Sequence, residues 1–224
     1  MARPPAPESR PWTRPRSYTP FLWPQDAFEP LPVPADKAGP AIFQVLGERR
    51  SVRQFRPLDR EALGALLWHS QRRQATAPSP LGFELERRPA PSGGAIHPIH
   101  TLVFEPRTGR WGRYDTARHG LQGLGMLGQA VDEFIDQARV VVPDPSATLI
   151  WFVAEPGKTA AKYENPDSLV WRDAGVLQGV MVTVAAGLGL GACLLGVTGQ
   201  AWAEKLSDQG QLQGVGALWV GGRP

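Results

Sequence analysis

A stretch of thirty residues without a charged side chain, from Ala174 to Ala203, constrains this chain more than any other feature. About 20 apolar residues suffice to cross a bilayer, so a membrane helix has to be considered. Seven glycines and the polar Gln178 interrupt the stretch, however, and glycine is a poor helix former. The pattern favours a buried helix over residues 175–186, a break at the Gly-Leu-Gly-Leu-Gly segment, and a buried strand over residues 192–197. We therefore expect core elements rather than a membrane span.

The first 40 residues contain 11 of the 23 prolines. Proline fixes φ and removes a backbone donor, so this density excludes a helix or a central strand and predicts an extended arm. Two interpretations remain open, namely an arm that embraces a partner subunit and a disordered extension. Aromatic residues such as Trp12 and Trp23 favour docking, because disordered tails usually lack them. We assign residues 1–40 to a Pro/Arg-rich N-terminal extension and residues 41–224 to one domain.

The formal net charge of +3 is confined to the arm. Residues 1–20 hold four arginines against one glutamate, and the rest of the chain is neutral overall. Because a nucleic-acid-binding protein carries a basic stripe on its folded body, no nucleic-acid partner is expected. The single cysteine, Cys193, excludes internal disulfides, and the N-terminus lacks the apolar segment of a secretory signal. We expect a cytoplasmic protein without a membrane partner.

Apolar periodicity and turn residues predict the remaining elements. A short helix is expected from Ile42 to Leu46, and a second helix after Asp59, which can cap it. Residues 76–91 are expected to form a loop and residues 117–138 a helix. Strands are expected over residues 101–104, 110–114, 149–153 and 217–220.

The first candidate site is the segment Arg-Arg-Ser-Val-Arg at residues 49–53. Guanidinium forks bind phosphate bidentately, and a serine hydroxyl adds a donor. In an extended segment, alternation places Arg49, Ser51 and Arg53 on one side. The segment is either a compact phosphate clamp or a solvated basic turn.

The second candidate is Pro-Ser-Gly-Gly at residues 91–94. Adjacent glycines let the backbone approach a flat ligand closely, and Ser92 can donate to it. The alternative is an ordinary loop. The Gly-x-Ser-x-Gly pattern of a nucleophile elbow is absent, and the glycine pattern near residue 189 follows a helix, so it is no dinucleotide fingerprint. His97 and His100 lie three residues apart, but Pro98 stands between them and no acidic or cysteine ligand is nearby, so no metal site is expected.

The third candidate is the pair Lys162 and Tyr163, which precedes the charge-free helix. Partly desolvated, the pair can supply a proton donor and a proton acceptor. An exposed surface pair is the alternative interpretation.

Taken in order, these motifs resemble those of the nitroreductase-like flavoproteins, most closely their SagB-type dehydrogenase branch. The resemblance covers roughly residues 45–224 and rests on three patterns. These are Arg-Arg-Ser-x-Arg-x-Phe, Pro-Ser-Gly-Gly-Ala-x-His-Pro, and Asp-Ala-Gly leading to Gly-Leu-Gly-x-Gly-Ala-Cys. It implies an α+β fold with a mixed, mostly antiparallel sheet between helices, and an interlocked homodimer with FMN at the subunit interface.

The resemblance also implies roles for individual residues. The FMN phosphate and ribityl chain would be held by Arg49, Arg50, Ser51, Arg53 and Arg223. The isoalloxazine ring would be lined by Pro91, Ser92, Gly93 and Gly94 of the other subunit. Backbone groups of Leu194, Leu195 and Gly196 would lie near the flavin N5 edge, and Lys162 and Tyr163 would handle protons during azoline oxidation.

The activity implied is a two-electron oxidation of a small-molecule or peptide-borne substrate, such as an azoline, in natural-product biosynthesis. An NAD(P)H-dependent reductase of nitro or quinone compounds and a non-catalytic partner subunit are the alternatives. Two departures bear on the substrate. In the family that the chain resembles, a glutamate often follows the His-Pro or Tyr-Pro step, and here His100 stands in its place. The segment just before Asp173 also lacks the family's usual Arg-Tyr.

Overall fold

The structure is a computed structural model, which describes residues 7–24, 26–36, 39–207 and 209–224, without the side chains of residues 126 and 127. Residues 1–6 of the predicted extension lie outside this description. The helices are α1 (Ile42–Glu48), α2 (Arg60–Gln71), α3 (Gly125–Gln129), α4 (Glu133–Val141), α5 (Pro156–Ala160), α6 (Asp167–Gly187) and α7 (Gln200–Leu206). The strands are β1 (Arg10–Pro11), β2 (Phe28–Pro30), β3 (Ala75–Ala77), β4 (Leu85–Arg87), β5 (Ile99–Glu105), β6 (Arg110–Asp115), β7 (Gly120–Gly123), β8 (Thr148–Ala154), β9 (Tyr163–Glu164), β10 (Leu190–Leu195) and β11 (Gln213–Gly222).

Seven strands form one sheet in the order β10-β11-β8-β5-β6-β7-β2. Each of these pairings is antiparallel, and a parallel bridge joins Ser51 to Ala192 on β10. The predicted α+β fold with an antiparallel sheet between helices is confirmed.

Helices cover both faces of the sheet, and β8 at its centre is buried throughout. Side chains on a strand alternate between the two faces. Ile150 and Phe152 therefore pack on the side that α2 and α6 cover. Leu149 and Trp151 pack on the opposite side with α4 and α7. The core thus consists of two hydrophobic clusters separated by one sheet.

The charge-free segment forms α6 and β10, as expected. α6 is long and apolar enough to cross a membrane by length and composition alone. One of its faces is buried in the hydrophobic core at helical spacing, through Val170, Ala174, Leu177, Met181 and Ala185. α6 is therefore a core helix of this fold.

The described part of the N-terminal arm lies across its own chain. β1 pairs with β9, and β2 adds an edge strand to the sheet beside β7. Pro30 has no backbone N–H to donate. Because β2 lies at the edge of the sheet, this costs no hydrogen bond to a further strand. Trp23 is 5% exposed and packs in the core. Over these residues, docking rather than disorder is the outcome.

Two sequence predictions were wrong. Residues 76–91 do not form a plain loop, because β3 and β4 pair as a hairpin. Residues 117–138 do not form one helix but contain β7, α3 and α4. Gly112 faces Leu121 so closely that a Cβ atom there would lie 2.9 Å from Leu121 Cβ. The glycines in this region serve close strand contacts, which a helical pattern does not reveal. The predicted helices near Ile42 and after Asp59, and the four predicted strands, are present.

Candidate active site

The glycine loop, residues 91–97, is held by one carboxylate from α6. Asp173 Oδ2 accepts a 2.5 Å hydrogen bond from Ser92 Oγ, and its Oδ1 accepts one of 2.9 Å from Gly93 N. Ser92 Oγ in turn accepts from His97 N at 2.9 Å. Gly94 adopts φ +68°, a conformation that favours glycine. The loop is consequently fixed at its start and carries no side chain at its tip.

Lys162 and Tyr163 lie at this loop. A Cβ atom on Gly94 would be 2.8 Å from Tyr163 Oη and 2.9 Å from Lys162 Nζ. Lys162 Nζ also donates to Gly94 O at 3.4 Å. Both side chains are half-buried. Two motifs that are 68 residues apart in the sequence thus form one cluster.

The N-terminal arm holds the segment that carries this pair. Pro11 is the register partner of Tyr163, and Trp12 N donates to Lys162 O at 2.9 Å. Trp12 Nε1 donates to Ala160 O at 2.9 Å, and the Arg16 guanidinium lies 3.8 Å from the Trp12 ring. The arm therefore contributes to the position of the Lys-Tyr pair.

A buried polar group, which the sequence analysis missed, lies beneath the arm. The Glu155 carboxylate is fully buried and accepts hydrogen bonds from Tyr18 Oη at 2.9 Å, from Phe21 N at 2.5 Å and from His100 Nε2 at 2.9 Å. Burial alone would raise the pKa of Glu155, but the His100 hydrogen bond leads the effects that hold it below its ordinary value. Burial lowers the pKa of His100 to about 4, so the imidazole is neutral near pH 7.

The arginine segment lies at a different place, against β10. Ser51 bridges to Ala192, and Val52 N donates to Ala192 O at 3.0 Å. Two hydrogen bonds of 2.9 Å then join Arg56 to Gly222 at the end of β11. The extended backbone leaves Ser51 and Arg53 exposed. The segment is anchored through its main chain, and its side chains are free to bind.

Arg223 reaches the same edge of the sheet. Its Nε donates to Leu190 O at 3.3 Å, two residues before the bridge to Ser51. Arg50 instead turns back onto α1, where its Nη1 donates to Gly47 O at 3.2 Å. In the described part of the chain, no carboxylate lies within 4.0 Å of the guanidinium groups of Arg49, Arg53 or Arg223. This edge therefore presents unneutralised positive charge.

The predicted N5-facing segment is the end of β10. Leu194 is 43% exposed, whereas the side chain of Leu195 points into the core. Gly196 follows with open space around it, since a Cβ atom there would contact nothing within 4 Å. Leu194 and Gly196 are therefore exposed to a ligand, whereas Leu195 is buried.

The structure does not bring the arginine segment and the glycine loop together within one chain. The glycine loop contacts α6 at Asp173, and α1 packs near Gly187, where a Cβ atom would lie 3.7 Å from Val45. Fourteen residues of helix separate these two positions, about 21 Å at 1.5 Å per residue. The predicted site residues accordingly form two groups at opposite ends of α6.

A cavity of about 410 Å³ opens beside the glycine loop. Its walls come from β3 and β4 and from the loop residues Pro91, Ser92, Ala95 and His97. Pockets that bind small organic molecules have volumes of about 300–1,000 Å³. The β3–β4 hairpin, which the sequence did not predict, therefore forms a wall of a substrate-sized space.

The residues present fit FMN. Unpaired guanidinium groups and the Ser51 hydroxyl suit a phosphate, and a Cβ-free turn at Gly93 and Gly94 suits a flat ring. Asp173 was noted in the sequence only as part of a helix motif. Its role in fixing the loop has no signal in a single sequence, because its partners are about 80 residues away.

Comparisons with known proteins agree with this fit. Residues 46–221 match the nitroreductase family. No protein in a search of curated sequences matches the chain. A solved structure from Ralstonia eutropha JMP134, described as a nitroreductase, is 22% identical with a TM-score of 0.65, over 97% of this chain and 99% of that chain.

Two further solved structures share the fold. A nitroreductase-type protein from Desulfovibrio desulfuricans, solved in complex with FMN, is 20% identical with a TM-score of 0.54, over 83% of this chain and 88% of that chain. The E. coli microcin synthetase McbBCD complex, solved with truncated pro-MccB17 bound, gives 16% identity and a TM-score of 0.56, over 75% of this chain and 65% of that chain. The chain belongs to the nitroreductase family, and the residues of its site fit FMN, the cofactor bound in the Desulfovibrio structure.

Proposed function

We propose that this protein oxidises a small-molecule or peptide-borne substrate, such as an azoline, by two electrons, as the SagB-type branch does. The single observation that carries the proposal is the contact of Lys162 Nζ and Tyr163 Oη with the space at Gly94. A pair able to move protons thereby lies at the loop expected to line the flavin ring. The likeness to the McbBCD complex, which has a peptide precursor bound, supports a peptide-borne substrate.

In this proposal, the arginine segment and Arg223 bind the phosphate of FMN. Arg49, Arg53 and Arg223 supply charge, and Ser51 supplies a hydroxyl donor. The ring lies against the glycine loop, whose shape Asp173 maintains. When bound, FMN would supply the hydride acceptor, and an external oxidant such as dioxygen would be needed to restore it.

Lys162 and Tyr163 are the proposed acceptors of the proton that the oxidation releases. Conversion of an azoline to an azole breaks two C–H bonds, and it releases one hydride and one proton. Tyr163 Oη and Lys162 Nζ are placed to take that proton at the loop. The arm holds the backbone of the pair in place, since Trp12 N donates to Lys162 O.

We also propose a homodimer, in which each copy contributes one of the two groups to each FMN. An apolar face is exposed along α1 and α6 in the described chain, including Phe43 at 84%, Leu46 at 54% and Val176 at 39%. Gly175 and Gly179 on α6 have open space where a Cβ atom would be. This face would allow a second helix to approach closely.

The dimer is tested by Val176→Arg and the matched control Val140→Arg. Val140 is 86% exposed on α4, away from the proposed face. Light scattering of the purified proteins should give a dimer for the parent and for Val140→Arg. Val176→Arg should be monomeric and should lose FMN, and a dimer of undiminished stability would contradict the interface.

Catalysis is tested with Lys162→Met and Tyr163→Phe. Each variant should retain FMN at about one per chain and should lose most turnover of a thiazoline-containing dipeptide, typically by 10²- to 10⁴-fold for a proton-transfer group. Lys205→Met, on the exposed side of α7, is the control. Full turnover in both site variants would refute the proposed roles.

The electron donor distinguishes the alternative activity. Rapid anaerobic bleaching of the flavin absorption by NADPH, without oxidation of any azoline, would replace the proposal with a nitro or quinone reductase. A protein that neither contains FMN nor takes it up would be a non-catalytic partner.

A further inference from the structure

A second cavity, beside the glycine loop at His97, is lined by polar side chains. It encloses about 260 Å³ between the end of α2, the strands β4 to β6, and α5. We call it the polar cavity. The lining residues that matter for its chemistry are Gln71, Arg88, His97, His100, Arg113 and Lys158.

The polar cavity has more cationic side chains than its carboxylates can pair with. Its two lining carboxylates have arginine partners already, because Glu86 pairs with Arg88 and Asp115 with Arg118, each at 2.7 Å. Glu155 lies behind His100 and has three donors of its own. Of the lining cations, this leaves Arg113 and Lys158.

Arg113 and Lys158 have no carboxylate within 4.0 Å among the residues that the structure describes. Lys158 Nζ donates to His97 O at 3.3 Å and faces the Phe83 ring at 4.8 Å. The Arg113 guanidinium lies 5.7 Å from the Trp23 ring. Neither a backbone carbonyl nor an aromatic ring neutralises a cation, so an anion would gain from both groups.

Two buried donors in the cavity wall lack acceptors. Gln71 is 2% exposed, and Thr101 Oγ1 donates to its Oε1 at 2.7 Å. Its Nε2 then has no partner in the described structure, and Arg113 Nε is likewise buried without one. An unsatisfied buried donor is costly, so a bound acceptor would recover that free energy.

The two histidines add no positive charge to the cavity, and among the described residues no three His, Cys, Asp or Glu side chains are grouped to hold a metal ion. His97 Nε2 must donate to Glu86 O, since a carbonyl only accepts, and His100 Nε2 bonds to the Glu155 carboxylate at 2.9 Å. Burial lowers the pKa of His97 and of His100 to about 4 each, so both rings are neutral near pH 7. The wall therefore offers donors and positive charge from Arg113, Lys158 and Gln71.

We propose that the polar cavity binds the oxyanion of a small molecule, a carboxylate or a phosphate, through Arg113, Lys158 and Gln71. The site is separate from the arginine segment assigned to FMN phosphate. It adjoins the glycine loop, because Arg88 and His97 also line the narrow cavity that contains Ser92 and Asp173. The proposal does not depend on azoline oxidation.

The test is calorimetric titration of the full-length, FMN-loaded protein with inorganic phosphate and, separately, with succinate, at constant chloride. One anion per chain should bind, and the tighter probe identifies the oxyanion class. Arg113→Met and Lys158→Met should each weaken binding at least tenfold, and Gln71→Leu should weaken it several-fold. The FMN content and circular dichroism of each variant establish that it folds.

Arg110→Met is the matched control, because Arg110 lies exposed on the same strand as Arg113. It should bind within twofold of the parent. Absence of saturable binding for both probes would overturn the proposal, as would binding that Arg113→Met and Lys158→Met both leave within twofold. Loss of FMN phosphate binding in an Arg53→Met variant, with anion binding retained, would show that the two sites are distinct.

Discussion

Ser92 Oγ donates a 2.5 Å hydrogen bond to Asp173 Oδ2 across 81 residues of sequence. The same carboxylate accepts from Gly93 N, so α6 determines the shape of the glycine loop. Asp173→Ala should therefore lower the free energy of unfolding by about 3 kcal/mol, because two donors lose a charged acceptor. It should also weaken FMN binding.

Urea unfolding and flavin-fluorescence titration measure these two effects. Asp167→Ala is the control on the same helix, where Asp167 is exposed in the first turn. It should cost less than about 1 kcal/mol, the usual value of a carboxylate near a helix N-terminus. Equal losses in the two variants would argue against a special role for Asp173.

Gly94→Ala combines a strained φ with a collision. Gly109 has nearly the same conformation, φ +64°, but nothing lies within 4 Å of a Cβ atom there. Gly109→Ala should lose about 1 kcal/mol from backbone strain alone. Gly94→Ala should lose more and should reduce turnover roughly 10- to 100-fold, because Lys162 Nζ and Tyr163 Oη must move.

The comparison of the two alanine variants isolates the contact from the strain. Unfolding free energy and steady-state turnover are both measured for each. Unchanged turnover in Gly94→Ala would show that the tips of Lys162 and Tyr163 are not required in their observed positions.

Local pattern predicted those parts of the fold that local physics determines. Asp59 caps α2 by accepting from Ala62 N at 2.7 Å, and the continuous apolar run at residues 149–153 forms the fully buried strand β8. The helix predicted over residues 117–138 failed because Gly112 and Gly120 serve tertiary contacts with Leu121 and Phe28. Sequence spacing carries no information about such a contact.

In the candidate site, too, local pattern predicted some features and could not predict those that depend on tertiary contacts. The residue types at 49–53, 91–94 and 162–163 indicated phosphate, a flat ring and proton transfer. Their arrangement was beyond the sequence, since it depends on Asp173, on the arm residue Trp12 and on the bridge from Ser51 to Ala192. The polar cavity had no sequence signal, because Arg113 comes from β6 and Lys158 from α5.

Trp12→Ala should loosen the segment that carries the Lys-Tyr pair. The variant removes the Nε1 hydrogen bond to Ala160 O and the contact with Arg16. Hydrogen exchange of the amides at residues 160–164 should become faster, while exchange in β8 should not change. Leu22→Ala is the control, because Leu22 is 85% exposed on the same arm. Unaltered exchange in Trp12→Ala would show that the arm does not hold this segment.

Because of Lys158, the free energy of unfolding should depend on pH in the alkaline range. Burial, and next the Arg88 charge, lower the pKa of Lys158 to about 8, with Glu155, Glu86 and Arg113 also acting on it. Between pH 8 and the ordinary lysine pKa of about 10.4, the unfolded chain holds a proton that the folded chain has released. The free energy of unfolding should therefore rise with pH across this interval, by roughly 1–3 kcal/mol.

Chemical unfolding at pH 7, 8, 9 and 9.5, in a buffer without phosphate or carboxylate, measures this rise. Burial raises the pKa values of Tyr18 and Tyr114, which lowers stability at higher pH, so the comparison is made as a difference between parent and Lys158→Met. Both proteins share those tyrosines, and the difference isolates the lysine. A parallel pH dependence in the two proteins would show that Lys158 keeps an ordinary pKa. Addition of phosphate should reduce the rise, because an anion in the polar cavity favours the protonated lysine.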